Sequence, residues 1–240
     1  MKKTVILSIS FLLLITVAAC KKKSKSKARL EPFIISASFT GPQREYNAEG
    51  KLVKVLDYKN GKKHGYVTEY YDNGNKYKQF PYAYGVMDGV YKEYYREGQL
   101  FMEVPVEEGV FNGLMKKYHK NGQLQCELKY EYNKESLGLK EYDVNGKLIT
   151  GYPEILIELK QLSLTEYQVT ASLSKPWHKV EYYYGYTESD YLDNNMQPAH
   201  KEGTKSVFTV EVPPGSKPSG TVMARALTSY GNYLLLAKEI

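Results

Sequence analysis

The sequence predicts an all-β protein, an elongated antiparallel β-hairpin repeat array followed by a small β-sandwich, and three observations carry that prediction. Glycines recur every 24 residues at Gly50, Gly74, Gly98, Gly122 and Gly146, and tyrosines recur four positions earlier at Tyr46, Tyr70, Tyr94, Tyr118 and Tyr142. Between these glycines apolar and polar residues alternate, which is the period of a half-buried strand and not of a helix. After Pro153 the 24-residue spacing stops, and six strand-like runs of six or seven residues follow, separated by Pro, Gly, Asn and Ser. A chain of 240 residues that is 42% hydrophobic and 25% charged is an ordinary folded one, which excludes collagen, wholesale disorder and a multispan membrane protein.

The formal charge of +6 would suggest nucleic acid if it were spread over the folded part. Residues 1–30 hold eight of the 33 Lys and Arg and none of the 27 acids, leaving 25 against 27, or −2, in residues 31–240. No nucleic-acid partner is expected. Met1-Lys2-Lys3 and the apolar run Val5 to Ala19 are too short for a membrane span of about 20 residues, and residues 1–19 read as a secretory signal. Val17-Ala18-Ala19-Cys20 resembles the bacterial lipobox, which implies lipidation of Cys20, cleavage before it and often acylation, such as palmitoylation, of the new amine. Two or three acyl chains hold a protein on a bilayer where one does not.

Residues 20–40 then form the lipidated Cys and a polybasic tether running through Lys21-Lys22-Lys23 to Arg29. Two readings of it stand side by side, a solvated spacer and a segment that rides anionic headgroups. The expected address is the bacterial cell envelope, lipid-anchored. Lys21 in place of an Asp favours the outer membrane where there is one, by the same resemblance, and leaves its periplasmic or surface-facing side open. Cys126 has no disulfide partner once Cys20 is lipidated. Glu127 beside it works against a reactive thiolate, so Cys126 reads as a packing residue.

In residues 41–152 each 24-residue unit reads as a β-hairpin. A second glycine column runs Gly41, Gly65, Gly89, Gly113 and slips by one to Gly138; a third runs Gly61, Gly85, Gly109 and becomes Asn133. These suit turns that need positive φ. Apolar columns follow at Leu56, Phe80, Val104, Leu128 and at Tyr58, Tyr82, Val106, Tyr130, predicting ladders of cross-strand neighbours. Units such as Tyr70-Tyr71-Asp72-Asn73-Gly74-Asn75 and Tyr94-Tyr95-Arg96-Glu97-Gly98-Gln99 resemble the MORN repeat variant of bacterial proteins. That resemblance implies a scaffold or interaction surface without catalytic residues; its bacterial members are often labelled antitoxin components. The slip at Asn133 and Gly138 predicts a distorted turn in the fourth copy.

Residues 153–240 are expected to form the sandwich, with strands at Ile155–Lys160, Tyr167–Leu173, Val180–Tyr186, Ser206–Val212, Thr221–Leu227 and Tyr233–Lys238. The stretch from Gly220 to Asn232 resembles the penultimate strand and final hairpin of immunoglobulin-like or fibronectin type III modules. No metal or cofactor is expected: His64, His119, His178 and His200 are scattered and read as solvated, and the acids around Asp190 and Asp193 lack the glycine and distal Glu of a calcium loop.

Tyr71 and Tyr95 are expected to be an exposed pair, and with Tyr183 they are the candidate partner contacts. The expected function is a non-catalytic, lipid-anchored binding or scaffold protein with a protein or glycan partner. An immunity-type protein neutralising a cognate toxin is the alternative, and a glycan-active enzyme needing two carboxylates roughly 5 to 9.5 Å apart a second.

Overall fold

The computed structural model describes residues 35–240, which form one compact unit. Cys20, the signal segment and most of the polybasic tether lie outside the described residues. Every regular element among the described residues is a strand.

The first sheet has twelve strands: β1 (Gly41–Tyr46), β2 (Leu52–Lys59), β3 (Lys62–Tyr70), β4 (Lys76–Ala83), β5 (Val86–Met87), β6 (Gly89–Tyr94), β7 (Leu100–Glu107), β8 (Val110–Phe111), β9 (Gly113–Tyr118), β10 (Leu124–Glu131), β11 (Lys134–Glu135) and β12 (Lys140–Glu141). It is an antiparallel meander in the order β1-β2-β3-β4-β6-β7-β9-β10, with β5, β8 and β11 hairpinned onto β4, β7 and β10, and β12 also on β10. Each of β5–β6 and β8–β9 is one strand bent at a bulge, where Asp88 N donates to Pro81 O and Asn112 N to Pro105 O.

Two turn types alternate, and both repeat in register. At the tyrosine end, Gly50, Gly74, Gly98, Gly122 and Gly146 each donate to the carbonyl three residues back. At the other end two successive residues have positive φ at Asn60-Gly61, Tyr84-Gly85, Glu108-Gly109 and Tyr132-Asn133, the signature of a two-residue type I′ hairpin that follows the twist of its strands. The second residue of each also donates to the preceding repeat: Gly61 N to Phe39 O, Gly85 N to Lys63 O, Gly109 N to Met87 O and Asn133 N to Phe111 O. Residues 35–40, assigned to the tether from sequence, therefore join the first hairpin.

The turn at Asn133 corrects the expectation of distortion. With φ of 50° at Tyr132 and 67° at Asn133 it is as regular as the glycine versions, because Asn tolerates the left-handed region. The departure comes after it, where residues 136–139 leave the sheet between β11 and β12.

Two further sheets follow the array: β13 (Ile155–Gln161), β14 (Glu166–Leu173), β18 (Lys205–Glu211) and β17 (Lys201–Glu202) in one, and β16 (Met196–Pro198), β15 (Glu181–Gly185), β19 (Thr221–Leu227) and β20 (Tyr233–Glu239) in the other. All six expected strands are present. Ile155 and Ala171 from the first sheet meet Tyr182, Val222, Ala224 and Ala226 from the second in one apolar core, so the two sheets pack face to face.

Candidate functional site

Register turns the 24-residue columns into rows that cross the whole array. Leu56 faces Val67, Val67 faces Phe80, Tyr91 faces Val104 and Met115 faces Leu128. The rings of Phe80 and Tyr91 stand 5.2 Å apart. This apolar row is the core of the inner face. Beside it on the same face Lys54, Glu69, Lys78 and Glu93 alternate in sign from strand to strand, and the row continues as Met102, Lys117, Cys126 and Glu141.

The outer face has its own alternating row of Gln79, Lys92, Glu103, Lys116, Glu127 and Lys140. The tyrosine ladder lies over it. The hydroxyl of Tyr94 donates to Gln79 Oε1 at 2.6 Å, that of Tyr118 to Glu103 Oε1 at 2.8 Å and that of Tyr142 to Glu127 Oε2 at 3.1 Å. Burial, and then the Glu103 carboxylate beside it, push the Tyr118 hydroxyl up to about 12. Tyr70 has Val55 at the corresponding position 15 residues back, so no acceptor meets it there; Tyr46, at the start of the array, is 58% exposed. The acceptor column was visible in the sequence as 24-residue spacing at Gln79, Glu103 and Glu127, and only the register shows that it serves the ladder.

Tyr71 and Tyr95 are not the freely exposed pair expected. Both are half-buried, and their hydroxyls reach forward one repeat, Tyr71 to Tyr94 O and Tyr95 to Tyr118 O, each at 2.8 Å. Their rings lean on Tyr77 and Phe101. His119 occupies the same place in the next repeat. It is 7% exposed rather than solvated, its Nε2–H donates to Tyr142 O at 2.9 Å, and Gln125 approaches its Nδ1. A carbonyl can only accept, so Nε2 carries the proton. Neighbouring turns are further clipped by Arg96–Asp72 at 2.5 Å and Lys120–Glu97 at 2.8 Å.

The third candidate, Tyr183, lies elsewhere, packed against Met196, Met223 and Leu235, a cluster that Leu137 of the array also packs against. Its hydroxyl donates to Glu181. The structure therefore places Tyr71 and Tyr95 in successive turns and Tyr183 at the joint between array and sandwich.

That joint holds a buried polar cluster. Glu141 is 1% exposed. Its Oε1 accepts from Thr228 Oγ1 at 2.7 Å and Asn232 Nδ2 at 2.6 Å, and its Oε2 from the Tyr152 hydroxyl at 2.8 Å. Lys117 Nζ donates to Asn232 Oδ1 at 2.6 Å. Arg225 pairs with Glu135 at 3.1 Å and lies over the Tyr233 ring. Leu137 N donates to Asp190 O at 2.6 Å, and Leu234 joins the core formed by Met115, Cys126, Leu128 and Leu139. Cys126 is fully buried, and desolvation pushes its thiol up to about 12, in keeping with a packing role.

An open depression of about 700 Å³ in the sandwich is lined by Tyr186, Thr187, Glu188, Asp193, Gly220 and Glu239, among others. Asp193 is held below the usual carboxylate range, first by the Thr187 hydroxyl donating to it. Among the described residues no group of three or more His, Cys, Asp or Glu is placed to hold a metal ion.

These geometries define a class, a stacked β-hairpin repeat protein whose turns are hydrogen-bonded from one copy to the next. More particularly, the family model described as the MORN repeat variant matches four consecutive segments, residues 39–60, 63–84, 87–108 and 111–132. The chain thus carries four such repeats. The fifth copy seen in the spacing keeps its turn at Gly146 and, in place of a return strand, the bridge of Tyr142 to Leu148 with the bonds Asp143 N to Lys147 O and Ile149 N to Glu141 O. Comparison with curated proteins gave no match.

Proposed function

We propose that this protein is a lipid-anchored bacterial envelope protein, attached through Cys20, whose repeat array and sandwich serve together as a non-catalytic binding body for a protein or glycan. The observation that carries the reading is Val17-Ala18-Ala19-Cys20 closing a short apolar run behind Met1-Lys2-Lys3. The folded part fits a role in presentation, since Leu234 of the sandwich packs into the array core with Met115, Cys126, Leu128 and Leu139 and would hold both in a fixed relation at the end of the tether. An immunoglobulin- or fibronectin III-like assignment of residues 153–240 is supported by strand order: the first, second and sixth strands share one sheet, and the third, seventh and eighth share the other.

The test is metabolic labelling with palmitate. The parent chain should incorporate label and sediment with membranes, and Cys20→Ala should lose both. Unchanged labelling and fractionation in Cys20→Ala would remove the anchor and the envelope role with it.

A further inference from the structure

We propose that β13 is the pairing edge of a two-fold symmetric dimer, adding antiparallel to the same strand of a second copy of this chain. Among the described residues β13 ends its sheet, with β14 on one side and no strand on the other. The other sheet edges are guarded or short. β1 carries Pro42, Arg44 and Glu45, β16 and β17 have three and two residues, and β20 ends in Lys238-Glu239. β13 runs seven residues unbroken, and along it and its turn Leu156, Leu159, Leu162 and Leu164 are 47%, 45%, 47% and 75% exposed.

Hydrogen-bond phase restricts the register. Ser174 N donates to Glu154 O, and Leu162 N donates to Glu166 O. From 154 to 162, then, even-numbered residues turn their backbone groups toward β14 and odd-numbered residues turn theirs to the free edge. A second copy must pair odd with odd. With the two-fold axis on Leu159, Leu159 faces the second copy's Leu159 and Ile157 faces its Gln161. In the closer, non-hydrogen-bonded positions Glu158 faces Lys160 and Leu156 faces Leu162. Moving the axis by one residue sets Glu158 against Glu158 or Lys160 against Lys160, and like charges directly opposite one another are destabilising. One register therefore joins every exposed leucine of the strand to another while pairing both charges.

The inference does not depend on Cys20, although anchoring both copies to one membrane would raise their effective concentration. A strand pair alone is a small interface, so the full chain in detergent should be examined by sedimentation equilibrium up to about 100 µM. A reversible dimer is expected. Glu158→Lys and Lys160→Glu should each weaken it roughly tenfold, and the double exchange should restore it. That rescue separates lost pairing from lost folding. Leu159→Cys should form a covalent dimer on mild oxidation, above any formed by the parent chain. Leu156→Cys should not, since its equivalents lie far apart across the axis. A parent chain that stays monomeric, or a double exchange no better than the single ones, overturns the proposal, and neither result bears on palmitate labelling.

Discussion

A carboxylate that is 1% exposed is tolerable only when its oxygens are hydrogen-bonded, because a buried charge without partners is heavily penalised. Glu141 meets that condition with three donors, from Thr228, Asn232 and Tyr152. Removing it would strand those donors in the interior and open a cavity. Glu141→Ala should therefore lower stability by about 3 kcal/mol, read as a shift in the denaturant midpoint. A midpoint unchanged from the parent would mean that water replaces the carboxylate freely. In the sequence Glu141 looks like another acid of the column Glu45, Glu69, Glu93. Nothing local marks it, since two of its donors lie 87 and 91 residues along the chain. Tyr71 and Tyr95 were legible as repeat residues, but their role was not, because a hydroxyl that reaches the next turn looks in sequence like one that reaches solvent.

Each hairpin repeat is held by strand pairing within it and by turn-to-turn hydrogen bonds to its neighbours, and the glycine columns of Gly122 and Gly113 serve these differently. Gly122 has φ 84° with open space where a Cβ would stand, whereas at Gly113, φ 125°, a Cβ would lie 2.9 Å from Pro105 Cγ of the neighbouring strand β7. Gly122→Ala should cost about 1 kcal/mol for backbone strain alone. Gly113→Ala should cost about 3 kcal/mol, because the proline ring has no rotamer by which to withdraw. Thermal unfolding of the two variants should rank them in that order, and equal losses would show that the contact with Pro105 relaxes. All three glycine columns, the ladder and the hairpins could be read from spacing. The one-residue slip from position 137 to Gly138 was also legible, but its meaning was not. It releases Leu137 and Leu139 to pack against sandwich strands that lie far downstream.

Across the whole molecule array and sandwich meet where Leu234 packs into the array core, and alkaline pH gives a way to read how deeply groups of the array are buried. Burial pushes Tyr118, Tyr130 and Cys126 up to about 12, from about 10, 10 and 9. The folded state thus holds these protons more tightly than the unfolded one. Their contribution is intact below about pH 9 and is lost as pH rises through 10 to 12. Tyrosinate absorbance should resolve a late-titrating fraction of the 24 tyrosines, and denaturant stability should fall across the same window. All tyrosines titrating together near 10 with stability unchanged would contradict the burial described. The sequence by itself determined the repeat period, the hairpins, the places of their turns and the six principal sandwich strands, because strand alternation and turn chemistry are local and recur. Only the tertiary structure decided which face each row occupies, which hydroxyls join one repeat to the next, and that array and sandwich close on Glu141. Those outcomes depend on strand register and on donors far apart in the chain, which no local pattern records.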